Sequence, residues 1–143
     1  MNASHIILLV EDNPNDIELT LIAFEKSGVP NEIAIARDGQ EAFDYLYGTG
    51  PYAGRDPQPS PRVVLLDLKL PKIDGLEVLR RMRTDERTRR LPVVVLTSSI
   101  EESDLIRSYD LGANSFVRKP VDFVQFAETA RRLAQYWLVL NET

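Results

Sequence analysis

Five short apolar runs punctuate the chain: Ile6 to Val10, Glu32 to Ala36, Val63 to Leu68, Val93 to Thr97 and Ser115 to Arg118. They are β-branched or apolar and of strand length, and the stretches between them carry apolar residues at the spacing of amphipathic helices. This alternation predicts a βα-repeating domain built on a parallel sheet. The first, third and fourth runs are apolar almost throughout, the pattern of central strands covered on both faces.

Helix ends can be read as well. Pro14 suits the first turn of a helix carrying Ile17, Leu21 and Phe24, and Gly28 can end it in a left-handed conformation. Asp38 is a good N-cap for a second helix, with Ala42, Phe43 and Leu46 facing inward. Leu76, Leu79 and Met82 mark a third helix after Gly75, and Leu105, Ile106 and Tyr109 a fourth that stops near Gly112. The last is predicted over about 122–141, from Asp122 through Val124, Ala127 and Leu133 to Trp137 and Leu140. There Tyr136, Trp137, Leu138 and Leu140 either close the core or form an apolar patch for a partner. The stretch Gly48 to Arg62 is punctuated by Gly48, Gly50, Gly54, Pro51, Pro57, Pro59 and Pro61, so it reads as a loop insertion longer than a usual αβ connection. No internal repeat or second core is visible, and one domain over 1–143 without an output domain is expected.

Composition narrows the chemistry. A chain of 143 residues with 43% hydrophobic and 27% charged content suits one soluble domain, and no apolar run approaches the roughly 20 residues of a membrane span. The amino terminus lacks the basic and apolar segments of a secretory signal, so a cytoplasmic location is expected and a membrane partner is not. With no cysteine and one histidine, thiolate and multi-histidine sites are excluded, leaving carboxylates, hydroxyls and lysines. A net charge of −5 argues against direct nucleic-acid binding. The cluster Arg80, Arg81, Arg83, Arg87, Arg89 and Arg90, interleaved with Asp85 and Glu86, reads as a solvated helix face.

In parallel α/β sheets ligands bind outside the carboxyl ends of the strands. The residues there are Glu11 and Asp12 after the first run, Asp67 at the third, Thr97 and Ser98 at the fourth, and Lys119 and Pro120 after the fifth. Locally, the acids could serve only as helix caps, and so could the hydroxyls. An unpaired carboxylate ending a buried strand is costly, however, and three carboxylates in one place need a compensating cation. Mg²⁺ (or Mn²⁺) suits hard oxygen ligands and bridges carboxylates to phosphoryl oxygens. One carboxylate could then accept a phosphoryl group in line, with Lys119 pairing with one phosphoryl oxygen and Thr97 donating to another.

Glu11-Asp12, the run Leu65 to Pro71 followed by Asp74-Gly75, Leu96-Thr97-Ser98 and Lys119-Pro120 together resemble the receiver domains of two-component response regulators, the CheY-like group, over essentially the whole chain. The fold expected is therefore α/β and flavodoxin-like: a doubly wound, five-stranded parallel sheet of order 2-1-3-4-5 with helices on both faces. The resemblance implies Asp67 as phosphoacceptor, and Glu11, Asp12, Asp67 and the Lys69 backbone carbonyl as metal ligands. It implies Thr97 as switch hydroxyl beside Ser98, Phe116 as switch aromatic, Lys119 as phosphate-binding lysine, and a cis peptide before Pro120. Lys69 and Ser99 occupy positions that in relatives influence hydrolysis of the acyl phosphate. The phosphodonor would be a phosphohistidine of a sensor kinase or phosphotransfer protein, and the output a change in protein contacts at the fourth helix, fifth strand and fifth helix. The chain would be a signalling phosphoacceptor that assists its own phosphotransfer and autodephosphorylation, not an enzyme. The insertion and long last helix resemble stand-alone regulators that partner phytochrome-type histidine kinases, implying a bacteriophytochrome partner and a homodimer through the fourth and fifth helices.

Three other readings stand beside this one. A Mg²⁺-dependent phosphohydrolase with an Asp67 nucleophile would place a second acid two residues on, where Lys69 stands. A flavodoxin-like flavin carrier needs hydroxyls, glycine and helix amides after the first strand, where Glu11 and Asp12 would repel the phosphate. A receiver that is never phosphorylated would act only as an interaction module.

Overall fold

Every residue of β1 (Ile6–Val10), β3 (Val63–Leu66) and β4 (Val93–Thr97) is buried, because these apolar runs are sandwiched between two layers of helices. The structure, a computed structural model, describes residues 5–54 and 60–142; the segment 55–59 of the predicted insertion lies outside the described residues. With β2 (Glu32–Ala36) and β5 (Ser115–Arg118) the strands form one parallel sheet in the order β2-β1-β3-β4-β5. Alternate residues feed opposite faces. Ile7, Leu9, Val63, Leu65, Val94 and Leu96 meet one helical layer, while Leu8, Val10, Val64, Leu66 and Val93 meet the other.

The first layer consists of α1 (Pro14–Glu25) and α5 (Phe123–Ala134), which bring Ile17, Ala23, Phe24, Phe126, Ala130 and Ala134 to the sheet. In the second, α2 (Gly39–Tyr47) supplies Ala42 and Phe43, and α3 (Gly75–Thr84) supplies Val78, Leu79 and Met82. Helix α4 (Glu102–Asp110) packs alongside α3 and β5. Side-chain caps start the helices: Asn13 accepts from the N–H groups of Asn15 and Asp16, Asp38 from Glu41, Asp74 from Glu77 and Asp122 from Val124.

The expected elements form with local differences. Strand β3 stops at Leu66, not Leu68, because the Leu68 N–H turns to the Asp67 carboxylate at 2.7 Å and leaves the ladder. Helix α1 ends at Glu25, three residues before Gly28, and Leu21 lies on its exposed side. Ile106, Tyr109 and Val124, used above to place α4 and α5, are exposed. In the insertion, Gly50–Tyr52 forms a single 3₁₀ turn.

The last helix is regular only to Ala134; Gln135–Leu140 widens into a π-helical segment. The widening seats consecutive residues in the core, Trp137 at 8% and Leu138 at 1% exposure, and the Arg62 guanidinium donates to the Leu138 carbonyl at 2.9 Å. Of the two expectations for this segment, Trp137 and Leu138 close the core, whereas Tyr136, Val139 and Leu140 face outward. Trp137→Ala is therefore expected to destabilise the protein by about 3–5 kcal/mol, the usual range for truncating a buried aromatic. Urea unfolding measures this, and a cost below about 1 kcal/mol would mean the segment is not part of the core.

Candidate functional site

The acids are aimed by the sheet itself. Beyond the last residue of each strand the hydrogen-bonded ladder continues for one step: Glu11 N–H donates to the Ala36 carbonyl at 2.9 Å, Asp67 N–H to Val10 at 3.0 Å and Lys119 N–H to Thr97 at 2.8 Å. Backbones that leave neighbouring parallel strands at one level deliver their side chains to one spot. There, oxygens of Glu11, Asp12 and Asp67 lie within 4.8 Å of one another. Glu11 and Asp67 are buried and Asp12 is exposed at the rim.

Lys119 reaches into this group, with its side chain only 10% exposed. Its Nζ donates to Glu11 Oε1 at 2.5 Å, to Asp16 Oδ2 at 3.0 Å and to Asp67 Oδ2 at 3.3 Å. Burial pushes the Glu11 carboxyl up to about 7; the Lys119 hydrogen bond and charge oppose this, and the nearby Asp67 charge adds to it. Burial works against the Lys119 charge, yet the hydrogen bond to Glu11 and the charges of Asp67 and Glu11 hold the ammonium above the ordinary lysine range. A single ammonium thus stands among four acids, contacting Glu11, Asp16 and Asp67 while Asp12 lies beside them. The cluster is of the kind that binds a divalent metal: three hard oxygen donors, two of them buried, around a gap of coordination size.

The other expected residues sit around this centre in different ways. Thr97 is fully buried at the end of β4, and its Oγ1 accepts from the Ser99 N–H at 3.3 Å. Ser99 is itself buried and donates to Asp104 Oδ2 at 2.6 Å, tying the site's flank to the first turn of α4. Ser98 and the Lys69 side chain are exposed. Phe116 is half-buried, packed against Leu68, Leu76 and Val95. The Lys119-Pro120 peptide is trans, correcting the expected cis bond, and no peptide among the described residues is cis. The two X-Pro isomers differ by only about 1 kcal/mol, so surroundings decide, and here the trans form leaves Lys119 on all three carboxylates.

Asp16 was absent from the sequence reading. A first-turn acid in α1 looks like an ordinary helix-dipole residue, and nothing local says that it meets Lys119. Arg83 also departs from the expected solvated face: it is half-buried, donating to the Gly112 carbonyl and to Asn114 Oδ1. A cleft of about 1280 Å³ at the opposite ends of the strands, near Arg62, Ser115 and Trp137, is remote from the acids.

A 2-1-3-4-5 parallel sheet that gathers acids and one lysine at its carboxyl edge defines an acidic site, able to hold a divalent metal, on a domain of the flavodoxin-like class. Residues 7–131 match the response regulator receiver domain, and the chain belongs to that family. Receiver domains take phosphoryl groups from histidine kinases. Among its relatives, the probable methanogenesis regulatory protein FilR2 of Methanothrix harundinacea is 45% identical over 96% of this chain and 86% of its own. Response regulator Rcp1 of Synechocystis is 37% identical over 96% of this chain and 91% of its own, and a crystal structure of the Mn²⁺-bound form of response regulator Rcp1 superposes with a TM-score of 0.86, 36% identity and coverage of 96% and 97%. The bacteriophytochrome response regulator AtBRR is 57% identical, with a TM-score of 0.77 and coverage of 97% of this chain and 99% of its own. No helix of the described residues is long and apolar enough to cross a membrane.

Proposed function

We propose that this receiver accepts a phosphoryl group on Asp67 from a phosphohistidine of a sensor kinase, in a Mg²⁺-dependent reaction that Mn²⁺ also supports. The observation that carries this reading is the placement of the Asp67 carboxylate, buried at a strand end with Glu11 and Asp12 oxygens within 4.8 Å and Lys119 at 3.3 Å. An Asp67 oxygen attacks phosphorus, a P–O bond forms, the P–N bond breaks, and its electron pair stays on the histidine nitrogen. A carboxylate nucleophile has no proton to lose, so the attack calls for no general base. Glu11, Asp12 and Asp67, with the Lys69 carbonyl, would hold the cation, which supplies charge neutralisation as phosphoryl oxygens approach. Lys119 moves one donor from Asp67 to a phosphoryl oxygen, and Thr97 turns its hydroxyl from Ser99 toward another. That movement opens room behind the strand for Phe116, so the new charge is read at α4, β5 and α5. Acyl-phosphate hydrolysis is assisted by the same groups, with Lys69 and Ser99 at the flanks.

The test is direct. Incubated with a small phosphodonor and Mg²⁺, the protein is expected to gain one phosphoryl group by mass spectrometry, and Asp67→Asn to gain none. Equal labelling of the variant would sink the assignment. Turnover of a generic phosphate ester would favour the phosphohydrolase reading instead.

The partner of finer detail is a bacteriophytochrome kinase, supported by the 57% identity to AtBRR, and a cytoplasmic location belongs to the same reading. Ile106, Tyr109, Val121 and Val124 expose apolar surface on α4 and around the start of α5, which supports a homodimer through those helices. Light scattering at micromolar concentration is expected to report twice the chain mass; monomer alone, with and without phosphodonor, would rule the dimer out.

A further inference from the structure

Lys119 has three donors and three carboxylate partners, and they are not equivalent. Glu11 and Asp67 belong to the acidic cluster, whereas Asp16 does not. Asp16 comes from the first turn of α1, where its N–H is capped by Asn13 Oδ1 at 3.1 Å and its carbonyl accepts from Thr20 Oγ1 at 2.7 Å. Its backbone is therefore held at both ends. Its side chain is 36% exposed and leans from the rim onto an ammonium that is 10% exposed.

We propose that Asp16 is a positioning residue for Lys119, keeping the ammonium at the mouth of the site while its other two partners change. This inference rests on Asp67 being the phosphoacceptor. When Glu11 and Asp67 turn their oxygens to a cation and a phosphoryl group, both of the buried contacts that hold Lys119 are given up or shared. A flexible four-carbon side chain released in this way would explore solvent before finding the phosphoryl oxygen. Asp16, outside the cluster, keeps its contact. One donor remains on Asp16 while another is free for the incoming oxygen, so the ammonium meets it already in place.

Asp16→Ala and Asp16→Asn, each with Asp67 intact, test the idea against a small phosphodonor at saturating Mg²⁺. The maximal phosphorylation rate of Asp16→Ala is expected to fall by about tenfold, the usual scale for one charge-assisted hydrogen bond, with a smaller fall for Asp16→Asn. The donor KM and the Mg²⁺ affinity measured by calorimetry are expected to stay within about twofold, since Asp16 lies outside the cluster of Glu11, Asp12 and Asp67. In a Lys119→Gln background the Asp16→Ala change is expected to have no further effect on rate. A merely structural role in α1 would instead slow both backgrounds equally and lower thermal stability. An unchanged rate in Asp16→Ala, or the same fall with Lys119→Gln, overturns the inference while labelling still depends on Asp67. Labelling that survives Asp67→Asn overturns the phosphoacceptor reading, and this inference with it.

Discussion

Lys119→Ala is expected to destabilise the metal-free protein by about 3–5 kcal/mol at pH 8, the scale for stripping one partner from a buried ion pair. At pH 5 the cost is expected to be much smaller. The difference comes from Glu11, whose carboxyl is held up to about 7 in the folded protein, against an ordinary glutamate value of 4.5, chiefly by burial. A group raised on folding binds its proton more tightly in the native state. Its contribution to stability is complete below the unfolded value and is lost as pH rises through the folded one. In wild type that window runs from about 4.5 to about 7. Without the ammonium, the hydrogen bond and charge that draw Glu11 downward are gone, so the window extends to higher pH. At pH 5 Glu11 is protonated in both proteins, so its ion pair with Lys119 is already absent and little is lost there; at pH 8 wild type keeps Glu11 ionised on the ammonium, and the variant must either carry that charge unpaired or take up a proton to neutralise it. Mg²⁺ should return part of the stability at pH 8, because a cation replaces the missing positive charge. Urea unfolding at the two pH values, with and without Mg²⁺, measures all of this. Equal losses at pH 5 and pH 8 would show that Glu11 and Lys119 do not depend on one another as described.

Gly75→Ala is the second change with a large expected effect. A Cβ at this first residue of α3 would lie 2.3 Å from the Asp67 carbonyl oxygen and 2.6 Å from Leu68 Cα. Both obstacles are backbone atoms, and neither can rotate away. The Gly75 N–H also donates to the Leu68 carbonyl at 2.8 Å, so the helix start and the loop that follows β3 at Asp67 are bonded where they would collide. Relief requires α3 to move off the loop, at a cost of about 3 kcal/mol or somewhat more. Because the displaced atoms include the backbone of Asp67 itself, phosphorylation is expected to slow by about a hundredfold, as for a misplacement near 1 Å at a reacting group. Gly28→Ala is the control. Gly28 has φ +81 with open space around it, so alanine there should cost about 1–2 kcal/mol of backbone strain and leave the phosphorylation rate alone. A wild-type rate in Gly75→Ala would remove the tight approach of α3 to Asp67 from the account.

The glycine illustrates how far the chain could be read without coordinates. The motif Asp74-Gly75 was visible in the sequence, but its physical reason is contact with a backbone several residues upstream, which appears only on folding. Strand positions were legible to within two residues because a run covered on both faces must be apolar at every position. The identities of the acids and Lys119 were legible for the complementary reason: charged residues in such a chain concentrate where buried strands end. Exposure within α4 was not legible, since Leu105, Ile106 and Tyr109 carry a helical signal whether or not a neighbouring element covers them. Ile106 and Tyr109 are in fact open to solvent.

Taken alone, the order of apolar runs, caps and breakers determined the βα alternation, the strand positions and the chemical character of one sheet edge, because periodicity and burial cost act on neighbouring residues. Tertiary structure decided the rest. It brought Asp16 onto Lys119 across 103 residues of chain, drew Arg83 out of water onto Gly112 and Asn114, widened the last helix so that both Trp137 and Leu138 enter the core, and kept the bond before Pro120 trans. Each of these depends on which surfaces meet when the helical layers close on the sheet, and no local pattern encodes a partner that distant.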